Sequence, residues 1–179
     1  SALEIAAAIE SVGGEINAFT SKEHTCYYAK VLAVDLPLAI DVLCDVVTDA
    51  QLRSEDIEGE RGVILEEIAM VDDDPSDLVH DQFARTLFGD TALGRPILGT
   101  AHTILGITRR SIINFYAKFY QSDSLVVAIA GDVDHARAVR LVEKALDASP
   151  KTHLSTAKAG LRPEGGKIKI GTADRKSVV

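Results

Sequence analysis

The chain has 179 residues, of which 46% are hydrophobic and 26% are charged, a composition typical of a folded globular protein rather than a disordered one. Its 19 basic and 27 acidic residues give a formal net charge of −8, so binding to a nucleic-acid backbone is not expected. No apolar run approaches the roughly 18 residues of a membrane-spanning helix, and no signal peptide is visible.

The start of the chain predicts a helix followed by two strands. Residues 1–12 are rich in helix formers, and Gly13-Gly14 ends that helix. The runs EINAFT (15–20) and HTCYYAKVLAV (24–34) have the β-branched and aromatic content of strands, with a polar turn between them. Because no helix separates the two strands, they are predicted to pair antiparallel.

Three helices are predicted next. Residues 36–47 are apolar at helical spacing and carry Pro37 in the first turn, where proline is tolerated. Ser54 is predicted to cap a longer helix, which ends at the acidic run before Pro75. Residues 76–88 form the third helix of this group.

The remaining elements alternate between loop, helix and strand. The run LGRPILGT (93–100) predicts a loop, and Thr108 opens a helix. Residues 124–131 (SLVVAIAG) predict a buried strand, after which Asp134 caps the last clear helix. The order of elements favours an α+β fold, with helices packed on a mostly antiparallel sheet, over a doubly wound parallel sheet.

The composition changes after Pro150. Residues 151–179 hold seven basic and two acidic side chains and are punctuated by glycine and proline. We therefore interpret residues 1–150 as one module and 151–179 as a basic linker that starts the connection to a second module. Within that linker, KIKIG (167–171) is a candidate edge strand.

The cysteines and histidines form no recognisable metal motif. Cys26 and Cys44 have no metal-type spacing, so free thiols in a reducing compartment are favoured over a disulfide or a metal site. The histidines show no two-histidine helical spacing, and each is more often a surface or capping residue than a ligand: His24, His80, His102, His135 and His153.

The stretch ERGVILEEIAM places acids on an apolar face. With Ile57 set at zero, Glu60 falls at about 300° and Glu67 at about 280°, inside an apolar arc that runs from about 220° to about 20°. Glu66 falls outside it, where solvent is expected. Two interpretations remain open: each inward acid is neutralised by a core arginine or a capping backbone, which the residues alone favour, or one binds a metal while the other orients the site.

Five motifs, taken in order, resemble the pitrilysin/mitochondrial-processing-peptidase family of zinc metallopeptidases, the inverzincins. They are ALEIAAAIESVGGEINAFTSKEHTCYY, ERGVILEEIAMVDDDP, LGRPILGT, SIINFYAKFY and VVAIAGDVD. The resemblance covers roughly residues 1–147 and is greatest to the bacterial two-module members. It implies a module of the processing-peptidase type that hydrolyses peptide bonds through a zinc-activated water.

The resemblance also implies roles for the two inward glutamates. The family holds zinc with the two histidines of HxxEH and a later glutamate, which corresponds to Glu67 here; Glu60 corresponds to the supporting catalytic acid. The chain contains no HxxEH. Because this motif normally lies farther upstream than the 66 residues before Glu67, we expect it before Ser1 in a longer protein, and we expect the present chain to be inactive alone.

The segment GGEINAFT matches the family's active-site edge strand, to which a substrate peptide adds as a further strand. The resemblance therefore implies substrate binding at Asn17, Ala18 and Phe19. On the residues alone, Asn17 is simply a polar residue at a strand edge. The second module of the family is an implied partner, and a chain without it is expected to expose an apolar face through which it could form a homodimer.

The function expected from the resemblance is that of a zinc-dependent endopeptidase in the bacterial cytoplasm, with no nucleic-acid or membrane partner. Two alternatives remain. One is a structural or partner subunit that kept the fold and lost the metal, although two retained inward acids argue against it. The other is an interaction module unrelated to proteolysis.

Overall fold

The computed structural model describes residues 2–121, 124–148 and 170–171. The helices are α1 (Ala2–Glu10), α2 (Leu36–Thr48), α3 (Ser54–Asp73), α4 (Pro75–Phe88), α5 (Ala101–Gly106), α6 (Arg109–Phe119) and α7 (His135–Ala148). The strands are β1 (Glu15–Thr20), β2 (Thr25–Lys30), β3 (Val127–Ala128) and β4 (Ile170–Gly171). The predicted α+β class is confirmed.

The described strands form two separate pairs. β1 and β2 are joined by a four-residue turn, which requires an antiparallel pairing. β3 and β4 pair in parallel, with Val127 opposite Ile170 and Ala128 opposite Gly171. The candidate edge strand at 167–171 is thus present at its last two positions. The rest of the predicted linker 151–179 lies outside the described residues.

The chain divides into two compact units. The first holds residues 1–18, 27–50 and 114–179, and the second holds residues 19–26 and 51–113. In the first unit α2 packs against α7. Its core cluster is Ile40, Cys44 and Val142, with half-buried Leu36, Val127, Ile129, Leu141, Ala145 and Leu146 around it. Cys44 is buried and Cys26 half-buried, and both thiols are free.

The α1–β1 connection depends on two glycines. Gly13 ends α1 with a φ of 71°, a left-handed conformation that glycine adopts without strain. Gly14 is needed for another reason: a Cβ there would lie 2.8 Å from both Ile9 Cγ2 and Val31 Cγ1. The backbone can therefore approach Ile9, which is fully buried, only because position 14 lacks a side chain.

The second unit is built from α3, α4 and α5. α3 packs against both α4 and α5, and α4 packs against a short 3-10 turn at Ala92–Gly94. None of these three helices contains a buried residue. This unit is therefore held together by half-buried side chains and by polar contacts. No helix in the described part of the chain is long and apolar enough to cross a membrane.

Several predicted boundaries were wrong. Arg53, not Ser54, is the N-cap of α3: Arg53 has the extended backbone of a cap, so Ser54 is already helical. β2 ends at Lys30 rather than at residue 34, because a 3-10 turn at Ala33–Asp35 leads the chain into α2. α5 was not predicted; it is a six-residue helix started by a capping box between Thr100 and Thr103.

The predicted buried strand at 124–131 was also wrong in length and burial. Only Val127 and Ala128 are in a strand, and neither is buried. The neighbouring Val126 is 78% exposed. The strand is short because only the two residues of β4 pair with this segment in the described part of the chain. One face is half-buried, since Val127 and Ile129 pack against the core cluster, while Val126 and Ala128 on the other face are exposed.

Candidate functional site

The helix α3 has a packed face and an open face. The packed face consists of half-buried side chains: Ile57, Arg61, Ile64, Leu65, Ile68 and Val71. The open face contains Glu60, Val63, Glu67 and Met70, all of them exposed. Val63 is 48% exposed and Met70 is 71% exposed, so even the aliphatic residues of this face meet solvent.

The prediction that Glu60 and Glu67 point into the protein was therefore wrong for the described chain. Both are exposed, like Glu66. The apolar arc of the angle count is real, but only its part near Ile57 and Ile68 is covered, by α4 and α5. No described residue covers the sector from about 220° to about 300°, where the two acids lie.

The carboxylates of Glu60 and Glu67 are uncommitted. Within the part of the chain that the structure describes, neither side chain has a hydrogen bond or an ion pair. They lie seven residues apart, which is two turns or about 10.5 Å along the helix axis, and they share one face. Each can therefore accept an external partner without first breaking an internal contact.

The described residues fit one ligand of a zinc ion, and no complete site. Zinc in proteins is typically held by three or four His, Cys, Asp or Glu side chains. Among the described residues no group of three such side chains lies close enough to hold a metal ion. The sequence also lacks HxxEH. Glu67 offers a suitable oxygen donor, but the remaining ligands of a zinc site are not found among these residues.

Arg61 is the main polar contact on the packed face of α3. Its guanidinium binds both carboxylate oxygens of Glu58, at 3.1 Å each, and also donates to the main-chain carbonyls of Ile104 and Ile107. The Arg61 side chain is only 14% exposed. The hydrogen bond from Arg61 lowers the pKa of the Glu58 carboxyl, and the bond to Glu58 raises the pKa of Arg61.

The turn between β1 and β2 fixes which groups face the free edge. The N–H of Ser21 donates to the carbonyl of His24 at 2.8 Å, so these two residues face each other. The next residues along each strand then also face each other, so Thr20 lies opposite Thr25. Their hydroxyls are 3.3 Å apart, as this register requires. Along an antiparallel ladder, pairs whose N–H and C=O groups point toward the partner strand alternate with pairs whose groups point away from it. By the same count the N–H and C=O of Ala18 point away from β2.

The outward N–H of Ala18 is occupied by its own neighbour. The side-chain oxygen Oδ1 of Asn17 accepts a hydrogen bond from this N–H at 2.8 Å, and both residues are exposed. In the described part of the chain β1 pairs only with β2. The outer edge of β1 is therefore open, and at Ala18 the edge donor is satisfied by a side chain that can rotate away.

Phe19 and the turn form an ordered tip of the hairpin. Phe19 is 50% exposed, and its ring meets the His24 ring edge-on, with centroids 5.8 Å apart. The Nδ1 atom of His24 is hydrogen-bonded to the Ser21 hydroxyl at 2.8 Å. The Lys22 ammonium donates to the carbonyl of Arg95. The tip is thus held by side-chain contacts as well as by strand pairing.

Three tyrosines in the first unit connect β2, α2 and α6. The hydroxyls of Tyr27 and Tyr120 are 3.1 Å apart, and the rings of Tyr116 and Tyr120 stack with centroids 4.9 Å apart. The Tyr116 hydroxyl donates to the carbonyl of Val47 at 2.7 Å and accepts from the N–H of Ala50 at 3.3 Å. Burial raises the pKa of Tyr27 and of Tyr116.

The sequence residues predicted for the site fall on two elements. Asn17, Ala18 and Phe19 lie on β1, while Glu60 and Glu67 lie on α3. Sequence reasoning missed Arg61: its position at about 40° in the angle count lies just beyond the end of the apolar arc at about 20°, so the count did not assign this cation to the packed face. The contacts of the tyrosines, by contrast, have no periodic signal, because they join residues far apart in the chain.

The chain belongs to peptidase family M16. The sequence profile of this family, described as insulinase (peptidase family M16), matches residues 1–101, and that of the peptidase M16 inactive domain matches residues 106–177. The predicted resemblance to the pitrilysin and processing-peptidase family of zinc metallopeptidases is thereby confirmed.

Individual relatives agree with this assignment. A protein of Streptomyces coelicolor named as an uncharacterized zinc protease is 52% identical over 179 residues, covering 100% of this chain and 39% of the relative. The beta subunit of the mitochondrial-processing peptidase of Bos taurus is 37% identical over 153 residues, covering 86% of this chain and 31% of the subunit. The matched part of the chain thus spans 31–39% of the length of these relatives.

Solved structures show the same fold. An M16-like peptidase of Alicyclobacillus acidocaldarius superposes with a TM-score of 0.75 at 26% identity, covering 82% of this chain and 34% of that one. A protease of Helicobacter pylori superposes with a TM-score of 0.80 at 21% identity, covering 92% of this chain and 38% of that one.

Proposed function

We propose that this chain supplies one zinc ligand, its supporting acid and the substrate-binding strand of a zinc-dependent metalloendopeptidase. The observation that carries the proposal is the open face of α3, where Glu60 and Glu67 stand seven residues apart with uncommitted carboxylates. This is the acid spacing of the family motif, in a chain 52% identical over its whole length to a protein named as a zinc protease.

Glu67 is assigned as the zinc ligand and Glu60 as the supporting acid. A carboxylate without an internal partner can bind a metal without first breaking an ion pair, and Glu67 has no such partner within the described residues. Glu60 lies about 10.5 Å away along the helix axis, too far to share one metal directly, so it would orient another group of the site. The remaining ligands must come from residues other than those described.

The substrate is proposed to bind along the open edge of β1. An extended peptide would replace Asn17 Oδ1 as the acceptor for the N–H of Ala18 and would receive further main-chain bonds from the outward positions of the strand. Phe19 is then exposed beside the bound peptide. The substrate class is therefore a peptide or an unfolded segment of a protein.

The working enzyme is proposed to need a second module. The match to the M16 inactive domain begins at residue 106 of this chain, and the relatives are more than twice as long. We also propose a bacterial cytoplasmic location for the protein. The alternative is a non-catalytic partner subunit of the same fold, for which the same surface would hold no metal.

The test compares the full-length protein that carries this chain with three variants on α3. Glu67→Gln should lose zinc, and Glu60→Gln should lose activity and part of its zinc affinity, typically about 10–100-fold for an acid that orients a ligand. Glu66→Gln is the matched control, since Glu66 is exposed on the same helix and outside the acid face. All three should melt within a few degrees of the wild type.

Two outcomes would contradict the proposal. Zinc-dependent peptide hydrolysis that survives Glu67→Gln would remove Glu67 from the metal site. A full-length protein that binds no zinc and cleaves no peptide would instead support the partner-subunit alternative. The 179-residue chain alone should bind zinc weakly and cleave nothing, so tight stoichiometric binding by this chain would show that its own residues complete a site.

A further inference from the structure

Arg61 connects α3 to a segment far along the chain. Its bonds to the carbonyls of Ile104 and Ile107 span 43 and 46 residues in sequence, and the bond to Ile107 is 2.9 Å long. Glu58, one turn before Arg61, binds the same guanidinium through both carboxylate oxygens. All four residues belong to the second compact unit, so the contact is internal to it.

The two carbonyls lie at the end of α5. Ile104 is in the last turn of that helix and Ile107 is its C-cap, where main-chain carbonyls lack the usual helical partner four residues on. The carbonyl of Ile104 also accepts from the N–H of Ile107, at 3.4 Å. The two carbonyls also flank residue 106, at which the match to the second family region begins. Arg61 thus connects α3, which carries the proposed zinc ligand, to the residues at the boundary between the two family matches.

Apolar packing alone holds α3 weakly. No residue of this helix is buried, and its apolar side chains on the packed face are only half-buried. Such a helix can rotate or slide with little loss of buried area. A guanidinium resists both movements, because its planar fork fixes the direction of several hydrogen bonds at once.

We propose that Arg61 is the positioning residue for the acid face of α3: by binding the carbonyls at the end of α5, it sets the rotation at which the helix presents Glu60 and Glu67. The inference rests on the proposed function and deepens it. Arg61 lies about 120° around the helix from Glu67, so it acts through the helix and not by contact. A displacement of about 1 Å at such a site can lower the rate about 100-fold.

The test uses the full-length protein with the variants Arg61→Ala and Arg61→Lys. The lysine variant keeps the charge and most of the volume but cannot reach a carboxylate and two carbonyls in fixed directions. The matched control is Arg109→Ala, because Arg109 also donates to a main-chain carbonyl in the same unit, that of Leu52, at 2.6 Å. Zinc affinity, kcat, KM, melting temperature and amide exchange of α3 in the zinc-free protein are measured.

Arg61→Ala should lower zinc affinity and kcat about 10–100-fold, as for other residues that orient a metal ligand, while KM changes within about twofold. Amide exchange should accelerate across α3 and α5 even without zinc. Arg61→Lys should share most of these losses. Arg109→Ala should lower the melting temperature but retain zinc affinity and kcat.

Four results would overturn the inference. One is wild-type zinc affinity and kcat in Arg61→Lys, which also decides the case if the alanine variant does not fold. Another is an equal loss of zinc affinity in Arg61→Ala and Arg109→Ala, which would indicate general destabilisation. A wild-type protein that binds no zinc would overturn the proposed function and this inference together, whereas zinc binding lost in Glu67→Gln but kept in Arg61→Ala would overturn this inference alone.

Discussion

The substitution Tyr116→Phe removes one hydroxyl and leaves the ring that stacks on Tyr120. That hydroxyl donates to the carbonyl of Val47 at 2.7 Å and accepts from the N–H of Ala50 at 3.3 Å. Because α2 ends at Thr48, the Val47 carbonyl is one of the last four of the helix, which have no partner inside it. Tyr116 therefore satisfies the end of α2 from a neighbouring helix.

The expected loss of stability follows from these two bonds. A hydrogen bond contributes about 0.5–1.5 kcal/mol net, and an unsatisfied buried group costs about 1–3 kcal/mol. The shorter bond should count fully and the 3.3 Å bond less, and both sites are only partly buried, so water can replace some of the loss. We therefore expect a loss of about 2 kcal/mol, which lowers the melting temperature by about 6 °C for a protein of this size.

Urea and thermal unfolding of the wild type, Tyr116→Phe and Tyr120→Phe would measure this. Tyr120→Phe is the matched control: among the described residues the Tyr120 hydroxyl contacts only the hydroxyl of Tyr27, at 3.1 Å, so the loss should be about 1 kcal/mol. A Tyr116→Phe variant within about 0.5 kcal/mol of the wild type would refute the assignment of Tyr116 to the end of α2. Equal losses in the two variants would show that the two bonds of the Tyr116 hydroxyl contribute no more than the single bond of the Tyr120 hydroxyl.

Two further predictions concern the first unit. The pKa values of Tyr27 and Tyr116 are raised in the folded state, so the stability that they contribute should be fully present below about pH 10, where unfolded tyrosine titrates, and should be lost as the pH rises through their folded pKa values. Ultraviolet titration combined with unfolding at each pH would show this loss, and ordinary titration of every tyrosine would contradict it. Gly14→Ala should destabilise the protein by about 1–3 kcal/mol, because the added Cβ would clash with Ile9 and Val31. The control Gly62→Ala on α3 adds a Cβ that meets nothing within 4 Å and should stabilise by up to about 1 kcal/mol. The reverse order of stabilities in urea unfolding would contradict the packing at Gly14.

The order of helices and strands could be predicted because its signals are local. The apolar spacing of α2 and α7 and the β-branched content of β1 and β2 are all present within a few residues. α5 was not predicted because a six-residue helix is too short to show a periodic pattern, and its start depends on two threonines. The short length of β3 was not predicted for a different reason. Its apolar run is clear, but the length of a strand depends on the strands that pair with it.

The sequence names the candidate site residues, whose roles stay a prediction, but it did not predict their burial correctly. The angle count separated Glu60 and Glu67 from Glu66, and the family motif then gave the first two their proposed roles. It could not say which part of the apolar arc is covered, because that depends on where α4 and α5 pack. The partners of Arg61 could not be predicted either, because they are the main-chain carbonyls of residues 104 and 107. Every residue has such a carbonyl, so the sequence does not indicate which ones Arg61 binds.

The two faces of α3 have different proposed roles. This explains how a pair of exposed acids can still have a defined orientation. Glu60 and Glu67 have no partner within the described residues that could fix their orientation. Their orientation must then come from the helix, which Arg61 is proposed to hold from the packed face, about 120° around the helix from Glu67. Substitutions of Glu67 should therefore change metal binding without changing stability, while substitutions of Arg61 should change both. That difference would distinguish the proposed metal ligand from the proposed positioning residue.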